Sequence, residues 1–128
     1  MKTPVWVLRK TVLTLQEQSL AEFGGEAGIR DESLLDSALA KPENLFACGK
    51  PTIFDLAARY GFGLVKNHPF VGGNKRVGFI VAVVFLELNG HRFQATEAEA
   101  AVRTLALAAG EMSESEFAVW LKANSRRD

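Results

Sequence analysis

Nine consecutive residues in the middle of the chain have the types and spacing that phosphate chemistry needs: His68-Pro69-Phe70-Val71-Gly72-Gly73-Asn74-Lys75-Arg76. Gly72 and Gly73 permit backbone geometries that turn successive N–H groups inward. A helix starting just after them would add unpaired N–H groups and the positive end of its dipole. Lys75 and Arg76 bring charge, and a guanidinium can grip two phosphate oxygens at once. At the other rim stands His68, and histidine is the side chain suited to proton transfer near neutrality. On residue types alone two readings stand level. One is a phosphate site with a base beside it; the other is a turn, a helix cap and two solvated charges.

The elements that must position this loop can be read from periodicity and punctuation. Val5 to Leu8 follows Pro4 and reads as a short extended lead-in. From about Lys10 to Phe23, Val12, Leu15, Leu20 and Phe23 recur near helical spacing until Gly24-Gly25 stops them. Asp31 is placed to cap a short helix through Ala40, with Leu34, Leu35, Ala38 and Leu39 on one face and Pro42 just beyond. Residues 41 to 51, with Pro42, Gly49 and Pro51, read as a loop, and Cys48 as a small residue within it. Thr52 caps a helix whose stripe runs Ile53, Leu56, Ala57, Tyr60, Leu64 and which ends near Asn67. The run Val77 to Leu86 is rich in β-branched residues, which suits a buried strand. It lies, however, inside a longer stretch from Asn74 to Asn89 closed by Gly90, and that length and ending favour a buried helix. His91 to Gln94 is a short link. Thr96 with Glu99, and Ser113 with Glu116, spell capping boxes that open segments to about Ala109 and Lys122. The polar tail Asn124 to Asp128 reads as frayed. The expected fold is therefore all-α: a compact bundle of about six helices, with the loop between a central pair.

Composition sets the outer bounds. The chain has 128 residues, suited to one domain with one core. Fifteen basic residues balance fifteen acidic ones, so no global field draws in nucleic acid or an anionic membrane, though a local anion site stays open. The single cysteine, Cys48, forms no internal disulfide, which fits a reducing cytosol. The N-terminus lacks the features of a signal peptide, and the apolar run Val77 to Leu86 falls short of the roughly 20 residues of a membrane helix.

The nine-residue loop resembles the Doc version of the Fic motif, H-x-F-x-[D/E/N]-[A/G]-N-K-R, with His68, Phe70, Gly73, Asn74, Lys75 and Arg76 all matching. The similarity extends upstream to residues 28 to 39, Gly-Ile-Arg-Asp-Glu-Ser-Leu-Leu-Asp-Ser-Ala-Leu, and downstream to Phe85-Leu-Glu-Leu-Asn-Gly90. The resemblance implies a six-helix fold and a toxin that modifies a hydroxyl on a target protein. In it His68 would be the general base and Phe70 the core anchor of the loop. Asn74, Lys75 and Arg76, with N–H groups around Gly73, would hold the phosphates. Most Fic enzymes have Gly where Lys75 stands and a second Arg where Phe79 stands, and these seat the β- and γ-phosphates for adenylyl transfer. Doc-like members have the Lys, and the branch implies γ-phosphoryl transfer from ATP to a threonine of translation elongation factor Tu.

At Gly72 the family usually places a carboxylate that binds Mg²⁺, and glycine has nothing to ligate a metal with. The expected cofactor thus lacks its protein ligand, and an attenuated form that mainly binds nucleotide or antitoxin is one alternative. Adenylyl transfer on the same fold is another, and a DNA-binding helical domain a distant one given the zero net charge. No segment matches the family's internal inhibitory helix, which implies a separate Phd-like antitoxin chain whose disordered tail folds into an apolar groove. Thr52, Phe54 and the residues 44 to 52 are the sequence candidates for a target-docking flap.

Overall fold

The computed structural model describes residues 2–128. Six helices follow in order: α1 (Arg9–Phe23), α2 (Glu32–Cys48), α3 (Ile53–Asn67), α4 (Asn74–Leu88), α5 (Glu97–Ala109) and α6 (Glu114–Ala123). Two short strands, β1 (His91–Phe93) and β2 (Ser125–Arg127), complete the described elements. The all-α expectation holds, and so does the choice of helix over strand for the apolar run after the loop.

Helix α3 lies at the centre and packs against α4, α2 and α6. Its capping box is complete: the Thr52 hydroxyl accepts from the Asp55 N–H, and the Asp55 carboxylate accepts from the Thr52 N–H. Its buried face carries Leu56, Tyr60 and Leu64 from the expected stripe. Two glycines let α3 and α4 approach closely. A Cβ on Gly78 would lie 2.9 Å from Val65 Cγ2 and 3.1 Å from the Gly61 carbonyl oxygen, and one on Gly61 would lie 3.3 Å from the Gly78 oxygen. The buried Tyr60 hydroxyl accepts the Val7 N–H, and burial pushes its pKa up to about 12. This pins the extended lead-in to the core, where Trp6 stacks on Phe85 with centroids 5.9 Å apart.

Four expectations are corrected. Helix α2 does not stop at Ala40 but runs through Pro42 to Cys48, so residues 41–48 are helix, and exposed Cys48 ends a helix instead of sitting in a loop. Pro42 removes one backbone bond, but it is buried, and beyond it Leu45 and Phe46 pack on the core, Phe46 edge-on to Trp6. The tail is not frayed: Ser125–Arg127 pairs antiparallel with His91–Phe93, so the link after α4 is itself a strand. The motive is side-chain burial, since Phe93 packs edge-on against both Phe79 and Trp120. Only half of the α5 capping box forms: Thr96 accepts the Glu99 N–H, but the Glu99 carboxylate turns to the Trp120 indole N–H, 2.8 Å away. Finally, the inner stripe of α1 is Val12, Gln16 and Ser19, while Phe23 is exposed.

The glycine contact between α3 and α4 yields a stability test. Gly to Ala in an open helix gains roughly 0.5–1 kcal/mol, whereas overpacking a core costs about 1–3 kcal/mol. At Gly78 the obstruction includes backbone, so Gly78→Ala should be net destabilising, read as a lower urea midpoint at unchanged slope.

Candidate active site

The loop between α3 and α4 is held from three directions. From below, Phe70 is buried in the core. The Asn74 side chain, also buried, closes the loop on itself. Its Oδ1 accepts the Phe70 N–H and its Nδ2 donates to the Phe70 carbonyl, both at 2.9 Å. From one side comes the strand-like segment 28–31. The Val71 N–H donates to the Gly28 carbonyl, and the Arg30 and Asp31 N–H groups both donate to the Pro69 carbonyl. Gly28 has φ +115, a backbone state that L side chains rarely adopt. Asp31 then caps α2 by accepting from the Leu34 N–H. From the other side α1 contributes Gln16, whose amide donates to the Gly72 carbonyl.

His68 sits at the C-cap of α3 in the left-handed region, φ 51 and ψ 54. Among the described residues it is the one non-glycine with positive φ, a conformation that costs about 1–2 kcal/mol for a non-glycine residue. Arg30 offsets that cost. Its Nε donates to the His68 carbonyl at 2.7 Å and its Nη2 to the Asn67 carbonyl at 3.0 Å, so one guanidinium gathers two free carbonyls at the end of α3. The imidazole is left exposed at the rim of the loop.

Across the loop, Val77 is the first residue of α4 whose N–H returns to the chain, bonding the Gly73 carbonyl at 3.0 Å. The N–H groups of Gly73, Asn74, Lys75 and Arg76 make no protein hydrogen bond, and they lie at the positive end of the helix dipole. Lys75 and Arg76 are exposed beside them. The Arg76 guanidinium lies over the Phe23 ring, 4.1 Å from its centroid, so an aromatic side chain on α1 holds this cation in place before any ligand arrives. The arrangement is one-ended: four unpaired N–H groups and two cations on one side, an imidazole on the other.

His68, Gly73, Asn74, Lys75 and Arg76 all border a single groove of about 610 Å³. From the loop the groove runs between α4 and α5, where its walls turn apolar with Phe79, Ile80, Ala101 and Leu105, and Glu97 adds a carboxylate. The reading of Asn74 as a phosphate ligand is corrected for its side chain, which is spent on Phe70; what remains free is its main-chain N–H. Thr52 and Phe54 are not brought to the groove. They begin α3, while His68 ends it 16 residues after Thr52 and 14 after Phe54, roughly 21–24 Å away at 1.5 Å per residue. Phe54 packs instead edge-on to His91. Sequence reasoning missed Gln16, Phe23 and Arg30. Arg30 had a signal, since it lies inside the upstream block that travels with the loop; the other two lie on a helix whose apolar periodicity points elsewhere.

Gly72, at the position where the motif carries a carboxylate, has no side chain with which to hold magnesium. Among the described residues no three His, Cys, Asp or Glu side chains form a group that could hold a metal. Position 72 is also confined: a Cβ there would lie 3.0 Å from the Glu26 nitrogen and 3.1 Å from its carbonyl oxygen. A carboxylate at 72 therefore requires the main chain at Glu26 to move.

Fold and loop together define a helical domain with a histidine-flanked, glycine-rich loop at the N-terminus of the buried helix α4. Residues 6–86, well over half the chain, match the model of the Fic/DOC family. The chain belongs to that family. It is also 41% identical over 70 residues to Toxin Doc of Mycolicibacterium smegmatis (strain ATCC 700084 / mc(2)155), a match spanning 53% of this chain and 54% of that protein. The alignment thus covers about half the length of the relative. No helix among the described residues is long and apolar enough to cross a membrane.

The loop closure generates a prediction. Asn74→Ala leaves the Phe70 N–H and carbonyl without partners in a buried place, at about 1–3 kcal/mol for each group. Thermal unfolding should register the loss, and the Phe70 amide should lose its protection from hydrogen exchange.

Proposed function

We propose that this chain is the toxin of a toxin–antitoxin pair and that it transfers the terminal phosphoryl group of a nucleoside triphosphate to a hydroxyl of a target protein. The observation that carries the reading is the division of the groove. Its anion-binding groups are confined to the loop, and its far walls are apolar. Such a groove has room for phosphates at one end and for a nucleoside at the other. With the terminal phosphate at the loop, the exposed imidazole of His68 is on the side from which a hydroxyl would attack.

In the proposed step His68 takes the proton of a Ser or Thr hydroxyl as its oxygen bonds to the terminal phosphorus. The bond from that phosphorus to the bridging oxygen breaks, and the nucleoside diphosphate leaves. Lys75, Arg76 and the N–H groups of residues 73–76 hold the charge on the phosphoryl oxygens. Well-placed donors of this kind lower such barriers by about 2.7–4 kcal/mol each. No part of the step is assigned to a metal. Phe79, where a second arginine would seat further phosphates for adenylyl transfer, offers an aromatic wall instead.

The match to Toxin Doc supports the toxin reading and an antitoxin partner; a separate Phd-type antitoxin chain and an elongation factor Tu-like target follow from the resemblance of the loop to the Doc motif. Leu105 stands exposed on α5 at the groove and suits an apolar partner segment there. The confinement of position 72 favours a second reading, a weak or inactive relative that retains nucleotide binding.

Labelled ATP separates the readings. γ-Label should appear on elongation factor Tu and α-label should not; His68→Ala should lower the transfer by about 10²–10⁴-fold with ATP binding retained. α-Label on the target would establish adenylyl transfer instead. Binding of ATP without any transfer would leave the binding-only reading.

A further inference from the structure

Helix α1 turns a polar stripe inward. Gln16 is 4% exposed and Ser19 is 3% exposed, one turn apart, on the face that begins with Val12. Neither is explained by packing stability. The Gln16 amide is only half used: Nε2 donates to the Gly72 carbonyl at 2.5 Å, while Oε1 is buried without a partner, as is the Ser19 hydroxyl. Each unpartnered buried group costs about 1–3 kcal/mol, and a leucine would fill the same place without that cost.

What Gln16 does control is the orientation of one peptide plane. In a trans peptide the C=O and the following N–H point in opposite directions. The Gly72 carbonyl is drawn inward to α1, so the Gly73 N–H faces away from α1, and it is one of the four unpaired donors. The opposite amide orientation would set Oε1 against the Gly72 oxygen, acceptor against acceptor. Gly73 is matched to the arrangement. It has φ +75, and a Cβ on it would lie 3.4 Å from both Nε2 and Oε1 of Gln16.

We propose that Gln16 is a positioning residue for the anion site: its buried amide holds the Gly72 carbonyl inward and thereby aims the Gly73 N–H at a phosphate oxygen. The proposal rests on the reading of the loop as a phosphate site. It adds that α1, remote in sequence, sets the direction of one of the donors. With this contact removed, the Gly72–Gly73 plane is free to rotate, because two glycines impose little of their own preference.

The test uses inorganic triphosphate as probe and the Gly73 amide as reporter, followed by ¹H–¹⁵N NMR on the full chain. In the wild type the Gly73 resonance moves on titration. Gln16→Leu, with Gln16→Met as the unbranched control should Leu disturb folding, keeps the melting temperature but weakens triphosphate binding about tenfold, with a reduced Gly73 shift. Gln16→Glu places an acceptor against the Gly72 carbonyl when ionised and a donor when protonated. Its affinity relative to the wild type therefore recovers as pH falls from 8 to 5, a profile the Leu variant does not share. Wild-type affinity and a wild-type Gly73 shift in the folded Leu or Met variant would overturn the positioning role alone. A wild-type Gly73 resonance that ignores triphosphate would overturn the phosphate-site reading, and the proposal with it.

Discussion

The side-chain amide of Asn74 bridges the N–H and the carbonyl of Phe70, and the rest of the site depends on that closure. A loop whose main-chain N–H groups are unpaired has a built-in difficulty: it is not held by its own backbone at those positions. The solution here is to anchor the other residues. Phe70 is sunk in the core and tied to Asn74, Pro69 and Val71 are paired with the segment 28–31, and the Gly72 carbonyl is tied to α1. The N–H groups of residues 73 to 76 are then left facing the groove.

The same logic places the histidine. His68 occupies a left-handed backbone state at the end of α3, which an isolated chain would not favour. Arg30 gathers the carbonyls of Asn67 and His68, and the strand-like segment around it pairs with Pro69 and Val71. One short stretch, residues 28 to 31, therefore serves three ends: it fixes the backbone at His68, braces the loop and, through Asp31, starts α2.

Much of this was legible beforehand where the physics is local. Ser113 with Glu116 is a capping box whose partners lie three residues apart, and it forms as written; Thr52 caps α3 as expected, and Asp55 completes a box there. Glu99 had the same spacing from Thr96 but found the Trp120 indole instead, a partner 21 positions away that no local rule supplies. Pro42 suggested a helix end, yet burial of Leu45 and Phe46 carried α2 through it. The tail looked too polar to order, but pairing with the strand that carries half-buried Phe93 ordered it. Gln16 was hidden for a related reason: periodicity counts apolar residues, and the buried stripe of α1 is partly polar.

What the sequence determined by itself is the chemistry available: an imidazole, two glycines, two cations and a helix start within nine residues, with no side chain at position 72 to bind a metal. Residue types and short spacings are covalent facts, and they survive any fold. Only the tertiary structure decided how those groups are used. It spent the Asn74 side chain on the loop and set Phe23 under Arg76. It put Thr52 and Phe54 at the far end of α3 and drew the Gly72 carbonyl toward α1. Each of those outcomes depends on which helices pack together, and hence on contacts between residues that local spacing does not relate.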